Sequence, residues 1–263
     1  MTEPQLTDPK PLNLDNHINL EICTGDPDGI LAAKEGGADR IELCSGLAEG
    51  GLTPSLATIE FATAQIPTNV LIRPRGGDFV YSPAEIAVME RDIEAAVAAG
   101  ASGVVVGALT PDGKVDSEAC SRLLAKGAGL DNTFHRAFDV VADPFEALET
   151  IISLGFKRIL TSGQAATALQ GADLIAALRR RAAGRILIMA GAGISPANAV
   201  EILRNAGADE LHASARKPRK AAMDYSVHTA MGAADADDGS RMATDRDTVA
   251  AIRRGIDDFS RLR

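Results

Sequence analysis

A chain of 263 residues, 46% hydrophobic and 24% charged, is long enough to bury a large core, as one large domain or two small ones. Its 27 basic against 36 acidic residues leave a formal charge of −9, which is repelled by phosphate backbones and argues against nucleic acid or a membrane surface as partner. Three cysteines cannot build a disulfide framework and fit a reducing compartment, here the cytoplasm.

In chain order, residues 1–18 are polar and proline-containing, with no basic or apolar segment of a leader, and read as a poorly ordered extension ahead of one domain over 19–263. No run of about 18 apolar residues follows, so no membrane span is expected. Short β-rich runs then recur: NLEIC at 19–23, RIELC at 40–44, NVLIRPR at 69–75, SGVVVGAL at 102–109, NTFHRAF at 132–138, RILTSG at 158–163, RILIMAG at 185–191 and ELHASAR at 210–216. Between them lie segments with apolar positions at helical spacing, such as Ala84–Ala99 and Pro144–Leu154. Several of these end in Gly shortly before a strand (GGADRIEL, GASGVVV, GFKRIL, GADELHA), where Gly tolerates the left-handed conformation that closes a helix. Eight such units in about 250 residues predict an α/β fold, a single-domain (β/α)8 TIM barrel, with an open doubly wound sheet as the alternative. The small, acidic segment 232–247 reads as a mobile loop, and Thr248–Leu262, apolar at Val249, Ile252, Ile256 and Phe259, as the last helix.

Alternate side chains of a barrel strand face the helices and the lumen. If Leu20, Ile22, Ile41 and Leu43 meet the helices, Glu21, Cys23, Glu42 and Cys44 face inward. The same parity groups Leu71, Arg73 and Arg75 on one face, and Glu210, His212, Ser214 and Arg216 on another. In NTFHRAFD either His135 or Arg136 faces in, and Asp139 lies past the strand end, in the mouth where barrel enzymes keep their working residues. Buried carboxylates need partners, for which Arg73, His135 or Arg136, and His212 are candidates. A purely structural network would explain these charges as well.

Two loops read as anion cradles. MAGAGISPANA (189–199) offers Gly191 and Gly193 for close backbone approach, with Ser195 as N-cap and Pro196 opening a helix; Ser214 and Arg216 follow the eighth strand, and barrels often hold phosphate between these two loops. Ser162 and Gly163 form a further small-residue turn after strand six. Cys120, on a helical run, is a small hydrophobe. Cys23 and Cys44 are open to three uses: soft ligands for Cu(I), a nucleophile activated by Glu21 or His212, or plain packing. Zinc is disfavoured, since no CxxC or His-x-x-x-His spacing is present.

The blocks RIELCSGLAEGGLTPS (40–55), IRPRGGDFVYS (72–82), TFHRAFDVVADP (133–144), RILTSGQAATALQG (158–171), IMAGAGI (188–194) and ELHASAR (210–216) together resemble the CutC family, named for copper homeostasis. The resemblance implies a cytoplasmic TIM barrel that self-associates into dimers or tetramers. It also implies copper handling, with Cu(I) bound at the family's cysteines, which match Cys23 and Cys44. A rival reading is an enzyme acting on a small anionic metabolite, phosphorylated or carboxylated. There Arg73, Arg75, Ser162, Gly163, Gly191, Gly193, Ser214 and Arg216 would hold the ligand, with Glu42, His135, Asp139 and His212 as general acid/base groups. A barrel serving only as an oligomeric scaffold leaves the inward charges without a purpose.

Overall fold

In the computed structural model, which describes residues 17–220, Ala222 and 240–262, the eight β-rich runs form eight parallel strands. They are β1 (Asn19–Thr24), β2 (Arg40–Leu43), β3 (Thr68–Leu71), β4 (Gly103–Val106), β5 (Thr133–Phe134), β6 (Arg158–Thr161), β7 (Leu187–Gly191) and β8 (Glu210–Ala213). Each pairs with its successor, and β8 pairs with β1 in the register Glu21 to His212, which closes the barrel. Around it run α1 (Pro27–Glu35), α2 (Leu56–Thr63), α3 (Pro83–Ala98), α4 (Ser117–Lys126), α5 (Pro144–Leu154), α6 (Ala172–Ala182), α7 (Ala199–Ala206) and α8 (Arg246–Arg261).

The helix boundaries follow local chemistry. Asp26, Ser82, Asp143 and Asp245 each cap a helix start by accepting backbone N–H bonds, and Ser82 with Glu85 completes a reciprocal capping box. Pro27, Pro83 and Pro144 occupy first-turn positions where no N–H is needed. At the other end Gly155 and Gly207, at φ of +88° and +62°, turn the chain back toward the next strand.

Strand parity sorts the side chains as expected. Leu20, Ile22, Ile41 and Leu43 lie with the helix faces in the main apolar core. Cys23 and Cys44 belong instead to a small separate cluster with Leu71 and Val105, inside the barrel. On α8, Val249, Ile252, Ile256 and Phe259 are the buried stripe.

Three expectations need revision or restriction. The helix after β7 starts at Ala199 with Asn198 as cap, one turn later than expected; Ser195 donates its N–H to the Asn198 side chain rather than capping. Residues 1–16 and 232–239, nearly all of the extension and half of the acidic loop, lie outside the described residues. The rest of that loop is ordered, because Ser240–Thr244 forms strand β10, antiparallel to β9 (Arg216–Lys220). The basic run of β9 is paired with acids beside the ribbon, Lys217 with Asp245 just past β10 and Arg219 with Asp28 of α1. Among the described residues no helix is long and apolar enough to cross a membrane.

Candidate functional site

Two layers of polar side chains fill the lumen, and their chemistry differs. The lower layer, toward the strand N-termini, is an ion network. Arg40 bridges the carboxylates of Glu21 and Glu210, Arg158 donates to Glu210 at 2.8 Å, and Asn69 and Asn19 donate to Glu21 and Glu210 at 3.3 and 2.8 Å. Arg158 also reaches Asp131 at 2.8 Å and Thr133 at 3.2 Å. Burial pushes the Glu21 carboxyl up, but Arg40, His212 and Arg158 outweigh it and hold it well below the usual carboxylate range. Every charge here has an opposite neighbour.

The upper layer opens on the C-terminal mouth and is less completely paired. His212 Nδ1 lies 2.8 Å from Glu21 Oε1, and its Nε2 lies 3.7 Å from Glu42 Oε2. Burial favours the neutral imidazole, yet Glu42, Cys23 and Glu21 together raise the His212 pKa well above its ordinary value. Glu42, buried beside one imidazolium and near Glu21, is raised in turn, chiefly by desolvation. Cys23 Sγ, a Glu42 oxygen and a His212 nitrogen all lie within 4.8 Å of one another. Cys44 Sγ sits 3.4 Å from Cys23 Sγ, fully buried behind it. Its contact with Cys44, burial and the Glu42 charge push the Cys23 thiol well above its ordinary pKa, so without a metal it stays protonated and is a poor nucleophile.

Beyond these groups the mouth forms a cavity of about 250 Å³, lined by Cys23, Glu42 and His212 at its floor and by Leu71, Phe79, Leu160 and Ile194 as apolar walls. Arg73, His135, Arg136, Gly193, Ser214 and Arg216 are among the other residues that line it. The choice between His135 and Arg136 resolves in favour of both. His135 continues the β5 ladder by donating its N–H to Val106 and faces inward, while the chain turns at Arg136 into a short 3₁₀ segment that returns the guanidinium to the rim. His135 Nδ1 accepts the Ala137 N–H at 3.2 Å, which leaves the ring proton on Nε2. Burial and the nearby Arg73 push its pKa down to about 3, so it is a neutral donor. Gly107 makes room for that ring: a Cβ there would lie 2.6 Å from Nδ1.

Arg73 serves neither Glu21 nor Glu42. Its guanidinium donates to the carbonyls of Glu49, Gly51 and Gly77 at 2.8–3.0 Å and lies 5.0 Å from the centre of the Phe79 ring.

Several expected site residues stand away from the cavity. Arg75 is held outside the mouth by Glu85 at 2.6 Å and Asp78 at 3.1 Å, because β3 ends at Leu71 and its parity does not extend into the following loop. Asp139 accepts from Thr161, Ser162, Gln164 and Arg136, so its oxygens are occupied in pinning the turn after β6. Ser162 belongs to that same turn, and a Cβ on Gly163 would strike the Gly171 carbonyl at 2.3 Å. Gly191 is small because Leu160 occupies the space, with 2.5 Å to a notional Cβ, rather than to admit a ligand. Conversely, Arg40 and Arg158, which carry the lower network, were not anticipated. The i, i+2 spacing from Arg40 to Glu42 on β2 was the available signal for the first of them.

Residues 18–217 match the profile of the CutC family. The chain is 50% identical over 221 residues to the copper homeostasis protein cutC homolog of Homo sapiens, a match spanning 83% of this chain and 81% of that one. It is 44% identical over 239 residues to a family protein CutC of Histophilus somni, spanning 90% and 98% of the two chains. A solved structure of CutC from Streptococcus agalactiae superposes with a TM-score of 0.72 at 35% identity, covering 75% of this chain and 99% of that one.

Proposed function

The chain belongs to the CutC family, and from that premise we propose that it is a copper homeostasis protein of the cytoplasm whose cargo, Cu(I), binds at Cys23 and Cys44. The observation that carries this reading is the contact of two sulfurs at 3.4 Å beside an imidazole, inside the barrel mouth. Thiolates are soft donors that select Cu(I) over harder ions. With metal–sulfur bonds of about 2.3 Å, sulfurs at this separation reach one ion at a bent angle and leave a side open for a third ligand. His212 suits that role: Glu21 holds its Nδ1, which points Nε2 toward Cys23 and Glu42, the carboxylate–histidine arrangement typical of metal ligands. Three free thiols support a reducing compartment. Self-association, as a dimer or tetramer, carries over from the family and is checked by light scattering on the eluting protein.

Anaerobic titration against a chromogenic Cu(I) chelator tests the site. About one Cu(I) per chain is expected, and the C23S/C44S double variant is expected to hold none. Unchanged stoichiometry in that variant removes the reading.

A second reading is favoured by one further observation, that the cavity extends past the sulfurs and gathers Arg73, Arg136 and Arg216, which a cation cargo does not call for. In it the protein is an enzyme acting on a small anionic metabolite, with Glu42 and His212 exchanging protons with the bound molecule. Copper-independent turnover of a small anion that is lost in Glu42→Gln would support it.

A further inference from the structure

The charges facing the mouth do not balance. Arg136 is offset by Asp139, and His212 by Glu21 and Glu42. Arg73 and Arg216 have no carboxylate within ion-pair distance among the described residues, and Arg73 is only 6% exposed. An uncompensated buried guanidinium is costly unless something anionic completes it. The donors are unbalanced too. His135 Nε2, which carries the ring proton, and Arg216 Nε are both buried and find no acceptor among the described residues. The backbone adds to this count: after β7 the successive residues Ala192 and Gly193 adopt φ of +79° and +72°, and the N–H groups of Gly193 and Ile194 make no hydrogen bond among the described residues. An alanine held there, and another, Ala215, at φ +47° after β8, represent backbone strain of the kind found at ligand sites.

From this imbalance we infer that the mouth cavity binds a small phosphate monoester, its dianionic head set against Arg216, His135 Nε2 and the Gly193–Ile194 backbone, with Arg73 supplying charge from beneath. The inference rests on the second of the two readings above and gives its ligand a chemical class. Two unmatched positive charges call for a dianion, and a phosphate monoester carries about −1.5 to −2 at neutral pH, whereas a monocarboxylate carries one charge. The loops concerned follow β7 and β8, where barrels place phosphate. The carbon skeleton would lie against Leu71, Phe79 and Leu160 and reach toward Glu42 and His212 at the floor. The cavity of about 250 Å³ is just under the roughly 300–1,000 Å³ of sites for drug-sized ligands, which suits a skeleton of a few carbons.

The test is calorimetry on the copper-free, full-length protein with glycerol phosphate and ribose phosphate, alongside inorganic phosphate, the unphosphorylated glycerol and ribose, and malate as a dicarboxylate. The expected result is binding of at least one sugar or polyol phosphate, displaced by inorganic phosphate, with no binding of the uncharged compounds. Arg216→Gln is expected to weaken it about tenfold or more, the value of a charge-assisted hydrogen bond, while Cu(I) stoichiometry stays unchanged. His135→Phe, a second and independent variant, is expected to weaken it as well. Binding of malate without any phosphate compound, phosphate binding that survives both variants, or no binding at all would overturn the inference. Phosphate binding with no turnover upholds the site and removes the enzyme reading. Turnover of a non-phosphorylated anion does the reverse.

Discussion

The two layers of the lumen contain similar residues and yet differ in how their charges are settled. In the lower layer Arg40 and Arg158 interleave with Glu21 and Glu210, and each charge has a partner at hydrogen-bond distance. In the upper layer Glu42 has His212 at 3.7 Å, Arg73 rests on carbonyls, and Cys23 remains a protonated thiol. Charge inside a barrel is therefore not in itself a sign of chemistry. What distinguishes the working end is pairing left incomplete, facing a cavity a ligand can enter.

Removing a partner from the settled layer should cost most. Arg40→Met leaves Glu21 and Glu210 short of a cation in the core, with an expected loss of about 3–5 kcal/mol, read as a fall in Tm of roughly 6–20 °C for a chain of this size. Arg216→Gln at the open end should stay within about 1 kcal/mol of the parent. Equal losses from the two variants would erase the distinction between the layers.

The next largest contrast is in copper affinity against pH. Because the Cys23 thiol is raised and must lose its proton to bind, affinity should climb as pH rises, by up to about tenfold per unit for that proton. A flat profile between pH 6 and 8 in chelator competition would count against Cys23 as a ligand.

Stability should also separate the layers by the direction of its pH dependence. Glu21 and Glu210 have lowered pKa values, so their contribution is present above the unfolded value of about 4.3 and is lost as pH falls. His212 is raised, so its contribution is complete below about 6.5 and is lost as pH rises through the folded value. Glu42, also raised, likewise weakens the fold as pH rises above about 4.3. Urea denaturation from pH 3 to 9 should accordingly show a shallower alkaline slope in His212→Gln, with the Glu42 share remaining, and an unchanged acid slope. Imidazole NMR gives a companion check: Glu42→Gln should lower the His212 titration midpoint, since Glu42 is the main force raising it.

The smallest effect is expected outside both layers. Arg75→Ala should leave copper stoichiometry and phosphate binding unchanged, because Glu85 and Asp78 hold that side chain beyond the mouth.

Which side chains of the first two strands face the lumen is readable from the residues, the pairing by Arg40 and Arg158 that sets the two layers apart is not, and the misplaced mouth residues share a cause. Parity works while a chain stays in the ladder, which is why Glu21, Cys23, Glu42 and Cys44 were correctly turned inward and Leu20, Ile22, Ile41 and Leu43 outward. It stops where the ladder stops. Arg75 lies four residues past the end of β3, and Asp139 sits on a short 3₁₀ turn whose direction no alternation rule governs. The separation of the sulfurs was equally out of reach, since it depends on the register that sets Cys23 opposite Glu42 and places Cys44 two residues further, just past the end of β2. Gly163 and Gly191 resemble ligand-approach glycines in sequence, yet each yields its space to a neighbouring loop or side chain.

X-ray absorption at the copper edge of the Cu(I)-loaded protein bears most directly on the claim that the sulfur pair is the metal site. The expected spectrum has two sulfur scatterers and one nitrogen around copper, reduced to a single sulfur in Cys44→Ser. A first shell of nitrogen and oxygen alone, or one unchanged by that substitution, would contradict it.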